Sequence, residues 1–138
     1  MASLSVNGLD EYAFCIEELA SIPDSVIEEM LRAEGEIIKK GQEQTASTML
    51  QGPYYEGGVA GSIRIGNMKR GASGKIVYVT FQGTQHGNRI AEIAFINEFG
   101  KHGQPARPFI SEANERNAGA AVDAAAKIYD NYLKSKGF

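Results

Sequence analysis

The chain has 138 residues, of which 43% are hydrophobic and 22% are charged, a balance that excludes wholesale disorder and fits one folded domain. Fourteen basic against 17 acidic side chains give a formal net charge of −3, which argues against a protein that binds duplex DNA regardless of sequence. The single cysteine, Cys15, excludes an intramolecular disulfide and favours a reducing compartment. We found no apolar run of the roughly 20 residues that span a bilayer, and no basic and apolar start typical of a secretory signal. We therefore expect a single domain over residues 1–138 with no membrane partner.

Two helices are predicted in the first 50 residues. Apolar residues recur at helical spacing over Leu9–Ala20, and Pro23 ends that element. Ser25 and Glu28 have capping-box spacing and predict the start of a second, long helix that runs to about Leu50. Its end from Gln42 to Thr48 is polar, so we expect that end to pack loosely or against another molecule. Two glycines inside the helix either lower its stability or admit a close neighbour, namely Gly35 and Gly41.

A glycine-rich loop and a small sheet follow. Residues Gln51–Gly61 include one proline and four glycines and predict a loop, in which Tyr54 and Tyr55 are candidates for contact with a partner. The loop does not have the Lys-Ser/Thr pair that a phosphate-binding P-loop requires. The next segments alternate or are rich in β-branched residues, and they predict an antiparallel meander of about three to four strands over Ser62–Met68, Lys75–Gln82 and Arg89–Phe95.

The last element is predicted to be a long helix over about Pro108–Lys134. Pro108 is expected in its first turn, where the missing N–H is not needed, and Gly119 is expected to mark a bend or a break. Its apolar stripe consists of Ala118, Ala121, Ala125, Ile128 and Tyr132. The order of elements predicts an α+β fold in which the long C-terminal helix packs on the sheet.

Residues that carry chemistry are few. His86 and His102 lie in predicted turns without further metal ligands beside them, so solvated turn residues are the favoured interpretation. Glu98 is acidic within an apolar segment, and it is either a catalytic acid or, as we favour, a structural partner of Arg107 or of a backbone amide. Three basic side chains lie on either side of a predicted turn, namely Lys69, Arg70 and Lys75. They fit either a solvated hairpin tip, which we favour, or a contact with nucleic acid. We expect no catalytic, cofactor or metal site.

One motif is more specific. In the stretch AEIAFINEFGKHGQPARPFI, residues 91–110, an apolar strand-like run leads into Glu98-Phe99-Gly100, a loop with glycine and proline, and then Arg107-Pro108-Phe109. This block resembles the tail-completion, or head–tail joining, proteins of long-tailed double-stranded-DNA phages and prophages, also described as minor tail components. Val6-Asn7-Gly8-Leu9 before two helices resembles the family's opening. Gly61-Ser62-Ile63 is similar to its entry to the sheet, although the leucine that members carry there is missing.

The resemblance implies a non-enzymatic virion protein. Such a subunit is expected to be made in the bacterial host cytoplasm and to assemble as a six-fold ring at the head–tail junction. Its partners would be the head connector or stopper and the tail-tube or tail-terminator proteins, and DNA would pass through without specific binding. The residues expected to serve packing and assembly at a strand-to-helix junction are Glu98, Phe99, Gly100, Arg107, Pro108 and Phe109, with both phenylalanines anchored in the core.

Two alternatives remain open at this point. One is another phage neck or tail adaptor, such as a stopper, a tail-tube-associated protein or an assembly chaperone. The other, from a different class, is a small enzyme that uses Glu98 together with His86 or His102.

Overall fold

The computed structural model describes residues 22–51, 57–71 and 74–137. The predicted first helix, Cys15, Tyr54 and Tyr55 lie outside the described residues. The helices are α1 (Asp24–Met49), α2 (Gly58–Gly61), α3 (Ile90–Phe99) and α4 (Phe109–Ser135). The strands are β1 (Ile63–Ile65), β2 (Lys69–Gly71), β3 (Gly74–Ile76), β4 (Val79–Phe81), β5 (Thr84–Gln85) and β6 (Asn88–Arg89). The predicted α+β class is confirmed.

The two long helices form the frame of the described fold. α1 and α4 make the most extensive contact between any two described elements. They run antiparallel, because Met49 of α1 lies beside Glu112 of α4 while Gly41 lies beside Asn117. α4 therefore packs mainly on α1, and it meets the sheet through Phe109, whose ring lies 5.8 Å from that of Phe81 in an edge-to-face arrangement.

The helix α1 has the predicted length but a different start. Pro23 precedes its first residue, and the Pro23 carbonyl accepts hydrogen bonds from the N–H groups of Val26 and Ile27. The predicted capping box is wrong, because Ser25 already lies inside the helix and no side chain caps this end. Glu28 instead forms an ion pair with Arg32 one turn later, at 3.1 Å.

The polar end of α1 is its most buried part, contrary to prediction. Gln42, Thr45 and Ala46 are buried, and the Gln42 amide donates a hydrogen bond to Asn114 Oδ1 at 3.0 Å. Small side chains let α4 come close at this level: a Cβ atom built on Gly41 would lie 2.7 Å from Asn117 Cγ. Gln42 is thus bonded to α4 of the same chain and Thr45 is buried, whereas Gln44, Ser47 and Thr48 are exposed. The interpretation of Gly41 as a site of close approach is confirmed.

The sheet is one interrupted hairpin followed by a smaller one. β1 pairs antiparallel with β4, with Ile63 opposite Phe81, and β2 pairs antiparallel with β3, with Lys69 opposite Ile76. Between these pairs residues 66–68 face residues 77–78, so the first arm carries one extra residue, a bulge that splits the strand predicted over Lys75–Gln82. β5 and β6 are joined by a tight turn at His86-Gly87, where both residues have positive φ as a type I′ turn requires.

The core lies where the end of α1, α2, α3 and the start of α4 meet. Its fully buried large side chains come from different elements, and they include Leu50, Val59 and Phe109. α4 is continuous through Gly119, so the predicted break does not occur; the glycine is exposed, and a Cβ placed on it would have no neighbour within 4 Å. Ala121 and Ala125 of the predicted stripe are buried, whereas Ala118 faces outward.

Candidate assembly joint

The segment predicted as the third strand, 89–95, is mostly helix α3, so that prediction is wrong. Ile90, Ala94 and Glu98 are buried at four-residue spacing, which is the spacing of one helix face. The helix also carries isoleucine, alanine and phenylalanine side chains on its other sides, so its apolar residues are not confined to one face. A short run that is apolar all round does not distinguish strand from helix by periodicity, and this explains the error.

Glu98 caps the following helix. It is 5% exposed, and its Oε1 accepts a hydrogen bond from the backbone N–H of Ser111, the third residue of α4, at 2.7 Å. The first N–H groups of a helix have no partner within the helix, and the helix dipole favours negative charge at this end. The structural interpretation of Glu98 as the partner of a backbone amide is thereby confirmed. Arg107 is exposed and forms no ion pair with Glu98 in the described structure.

Gly100 lets the chain leave α3. Its φ of 77° and ψ of 176° fall in a region that is essentially restricted to glycine. A Cβ there would lie 2.8 Å from the backbone nitrogen of Ala106 and 2.9 Å from the carbonyl oxygen of Gln104. The loop thus folds back on the helix end, and the Arg107 N–H donates to the Asn97 carbonyl at 2.6 Å. Both the backbone angle and the lack of space require glycine here.

Pro108 and Phe109 begin α4. Pro108 has φ −77° and ψ 64°, and the Phe109 N–H donates to the Arg107 carbonyl at 2.7 Å, which together form an inverse γ-turn. The proline therefore lies just before the helix and not in its first turn, because its ψ is not helical. Phe109 has no exposed surface and packs in the core, as predicted.

Phe99 is not a core residue, contrary to prediction. It is 67% exposed, and its ring lies 4.8 Å from that of Phe95, which is 62% exposed and one helical turn earlier. Phe99 follows the buried Glu98 by one residue, about 100° round the helix, so it points away from the core. The sequence analysis did not predict a role for Phe95, because a strand at this position gives its side chain no neighbour in Phe99. The four-residue spacing of the two phenylalanines could have indicated a pair on one face of a helix.

We call residues 97–111 the α3–α4 joint. Within it, Glu98, Gly100 and Phe109 hold the backbone in one geometry, while Phe99 and Arg107 face solvent. The structure brings all six predicted residues into this one region. Glu98 and Phe109 are buried and Gly100 is half-buried, whereas Phe99, Arg107 and Pro108 form an exposed set, a division that the sequence motif does not show.

The other candidate residues lie elsewhere or are exposed. Lys69 and Arg70 are exposed at the hairpin, and Lys75 forms an ion pair with Asp24 of α1 at 3.2 Å. His86 and His102 are exposed turn residues, and no cluster of three or more candidate metal ligands occurs among the described residues. A depression of about 340 Å³ lies between α3 and the loop after it, lined by Asn88, Glu92, Ile93, Ile96, Asn97, Lys101 and Gln104. Glu98 and the two histidines do not line it.

In the described part of the chain, none of the helices combines the length and apolar character needed to cross a membrane. Comparisons of the chain with protein-family models, curated proteins and solved structures found no match.

Proposed function

We propose that this chain is a structural virion protein that assembles as a ring at the head–tail junction of a long-tailed phage or prophage. The proposal begins from the resemblance of the Glu-Phe-Gly and Arg-Pro-Phe block to head–tail joining proteins. The observation that supports it most is the division of that block into residues that fix its shape and the side chains of Phe99 and Arg107, which are exposed outside the core.

Glu98, Gly100 and Phe109 together fix the backbone of the joint in one geometry. The Glu98 carboxylate bonds the start of α4, Gly100 allows the loop to fold back, and Phe109 is anchored in the core. A surface held in one geometry loses little conformational freedom on association, which favours binding. A rigid joint is therefore well suited to present side chains to a neighbouring subunit.

The exposed set is unusual for a surface that meets only water. Phe95 and Phe99 form an aromatic pair, each more than 60% exposed. Aromatic side chains and arginine are enriched in interface cores relative to other protein surfaces. This exposure supports a role in assembly.

The bond between Glu98 and Ser111 favours this role over an enzyme built on Glu98. A general acid must reach the reacting group, and this carboxylate is turned toward a backbone amide of its own fold. The net charge of −3 is compatible with DNA passing through a ring without specific binding, because it offers little neutralisation of phosphates.

Deletion of the gene from an inducible prophage tests the proposal. We expect DNA-filled heads and complete tails that remain separate in electron micrographs, and we expect purified chain added to the lysate to restore joined particles. Absent or abnormal tails would instead favour a tail-tube-associated or chaperone protein. Joined, infectious particles without the gene would overturn the proposal.

A pair of variants links that test to the joint. Phe99→Ser should fold but fail to restore joined particles. Tyr78→Ser, which changes a 52% exposed aromatic residue on the hairpin away from the joint, should restore them. Equal restoration by both variants would contradict a role for the exposed half of the joint.

A further inference from the structure

The exposed side of the joint combines a solvent-exposed aromatic pair with positively charged side chains. Phe95 and Phe99 stand one helical turn apart with ring centroids 4.8 Å from each other. Lys101 and Arg107 follow on the loop at the same end of α3, and their side chains make no hydrogen bond or ion pair with any described residue. The nearby Glu92 is engaged by Arg89 at 3.8 Å. We call this surface the joint face.

The outward side of α4 has the opposite character. Glu115, Gly119, Val122 and Ala126 share one exposed helix face, and Val122 and Ala126 lie about 100° round the helix from the buried Ala121 and Ala125. Nothing lies within 4 Å of a Cβ built on Gly119, and the next apolar side chain on this face, Val122, is 62% exposed. The face is therefore shallow and apolar along its middle. We call it the α4 face.

Negative charge flanks the α4 face. Glu115 and Asp123 make no ion pair or hydrogen bond through their side chains with any residue that the structure describes. Arg116, which lies beside them, is already paired with Glu112 at 2.6 Å. Lys127 lies one helical turn after Asp123, and with Asp130 also on this side the face still carries more acidic than basic side chains.

We propose that the joint face of one copy binds the α4 face of a second copy. The aromatic pair would fill the shallow surface at Gly119 and Val122, while Lys101 and Arg107 would meet Glu115 and Asp123. This inference rests on the proposed function, since it names the partner of the exposed half of the joint.

Charge decides between this pairing and a symmetric one. Were the joint face to bind itself across a two-fold axis, Lys101 and Arg107 would meet their own copies, and like charges across an interface oppose binding. The α4 face offers acids to the same cations. Contact between two different faces repeats from copy to copy and closes into a ring when the rotation permits.

Val122, at the middle of the α4 face, is well separated along the helix from the joint of its own chain. Val122 lies 13 residues beyond Phe109, the start of α4, which corresponds to about 20 Å at 1.5 Å per residue. Phe95 and Phe99 precede that start in α3. Phe99 and Val122 are 67% and 62% exposed, so among the described residues neither covers the other within one chain.

Disulfide trapping between two variants tests the contact, because it detects weak association as well as strong. Cys15→Ser is made in every chain, and Phe99→Cys chains are mixed with Val122→Cys chains under mild oxidation. Lys40→Cys, an exposed position on α1, replaces Val122→Cys as the matched control. We expect the Phe99–Val122 heterodimer to form at least about tenfold faster than the control, since contact raises the effective thiol concentration.

Charge reversal adds a second readout. Lys101→Glu with Arg107→Glu in the Phe99→Cys chain should slow the cross-link, and Glu115→Lys with Asp123→Lys in the Val122→Cys chain should restore the rate. Overturning results would be a heterodimer no faster than the control, a faster Phe99–Phe99 homodimer, or a rate that ignores both reversals.

The trapping result and the prophage deletion separate the two claims. Unjoined heads and tails without the Phe99–Val122 cross-link would leave the function supported and remove this interface. The cross-link with normal particles in the deletion strain would support self-association and remove the assigned place in the virion.

Discussion

The carboxylate of Glu98, near the end of α3, accepts a hydrogen bond from the backbone N–H of Ser111 in the first turn of α4, at 2.7 Å. This bond joins two helices that are separated by a nine-residue connection, residues 100–108. It places the negative end of a buried side chain at the positive end of a helix dipole, where charge is stabilising. Glu98 therefore contributes directly to the orientation of α4 relative to α3.

Replacing Glu98 should lower the stability of the fold more, the less of the hydrogen bond to Ser111 the new side chain retains. Glu98→Ala leaves the Ser111 N–H without its acceptor and is expected to lower the free energy of unfolding by about 1–2 kcal/mol. Glu98→Gln keeps an oxygen acceptor and loses the charge, so we expect a loss of about half that size. Urea unfolding followed by circular dichroism measures both changes.

The control for that series is Glu92→Ala on the same helix. Glu92 is 61% exposed in its side chain and forms only a 3.8 Å ion pair with Arg89, so its removal should change stability by no more than about 0.5 kcal/mol. Equal losses at Glu92 and Glu98 would show that the bond to Ser111 contributes nothing.

The sequence predicted the parts of the fold with a clear periodic signal. α1 and α4 were expected over nearly their observed lengths, because long amphipathic segments show their period over many turns. α3 was not expected, since ten residues that are apolar on all sides show no distinguishing period. The start of α1 was misassigned because Ser25 and Glu28 had the right spacing, while Pro23 supplied the actual boundary.

The candidate site was predictable in location but not in arrangement. The motif identified six residues that all lie in the joint, and the acidic residue in an apolar segment indicated a structural partner for Glu98. Nothing in the sequence distinguishes Phe99 from Phe109, because both are phenylalanines beside a turn. Their exposure differs only because α3 is a helix that turns Phe99 outward, while Phe109 meets Phe81 across the core.

Truncation of Phe109 should therefore lower the stability of the fold strongly, whereas truncation of Phe99 should leave it nearly unchanged. Phe109→Ala removes a fully buried ring and is expected to lower the free energy of unfolding by about 3–5 kcal/mol, with a fall in melting temperature that precedes any assembly defect. Phe99→Ala removes a ring that is 67% exposed, and its effect on the isolated chain should stay within about 0.5 kcal/mol. Thermal unfolding of dilute protein measures both. An unchanged melting curve for Phe109→Ala would contradict its place in the core.

The two helical glycines Gly41 and Gly119 should give changes of opposite sign when replaced by alanine. Gly119 is exposed with open space around it, so Gly119→Ala should stabilise the helix by about 0.5–1 kcal/mol through helix propensity. At Gly41 the new methyl group would lie 2.7 Å from Asn117 Cγ and displace that side chain, which donates to the Ala113 carbonyl at 2.7 Å. Overpacking of this kind costs about 1–3 kcal/mol, so Gly41→Ala should be destabilising despite its better propensity. Stabilisation by both variants, measured by urea unfolding, would show that α1 and α4 are not in close contact at this level.

Gly100 should be far less tolerant of alanine than Gly103, although both have positive φ in the same loop, at 77° and 80°. At Gly103 a Cβ would have no neighbour within 4 Å, so Gly103→Ala should lower the free energy of unfolding only by the backbone strain, about 1–2 kcal/mol. At Gly100 the added carbon would lie 2.8 Å from the Ala106 nitrogen, a backbone atom that cannot rotate away. Because the loop must open to admit the carbon, we expect Gly100→Ala to lower the free energy of unfolding by at least about 1 kcal/mol more than Gly103→Ala does.

Hydrogen exchange gives a second measurement on Gly100→Ala. We expect the Ser111 amide to lose protection from exchange, since opening the loop separates α4 from Glu98. Equal losses at the two glycines, with Ser111 still protected, would mean that the loop does not fold back on α3 and that the joint is not held as a rigid unit.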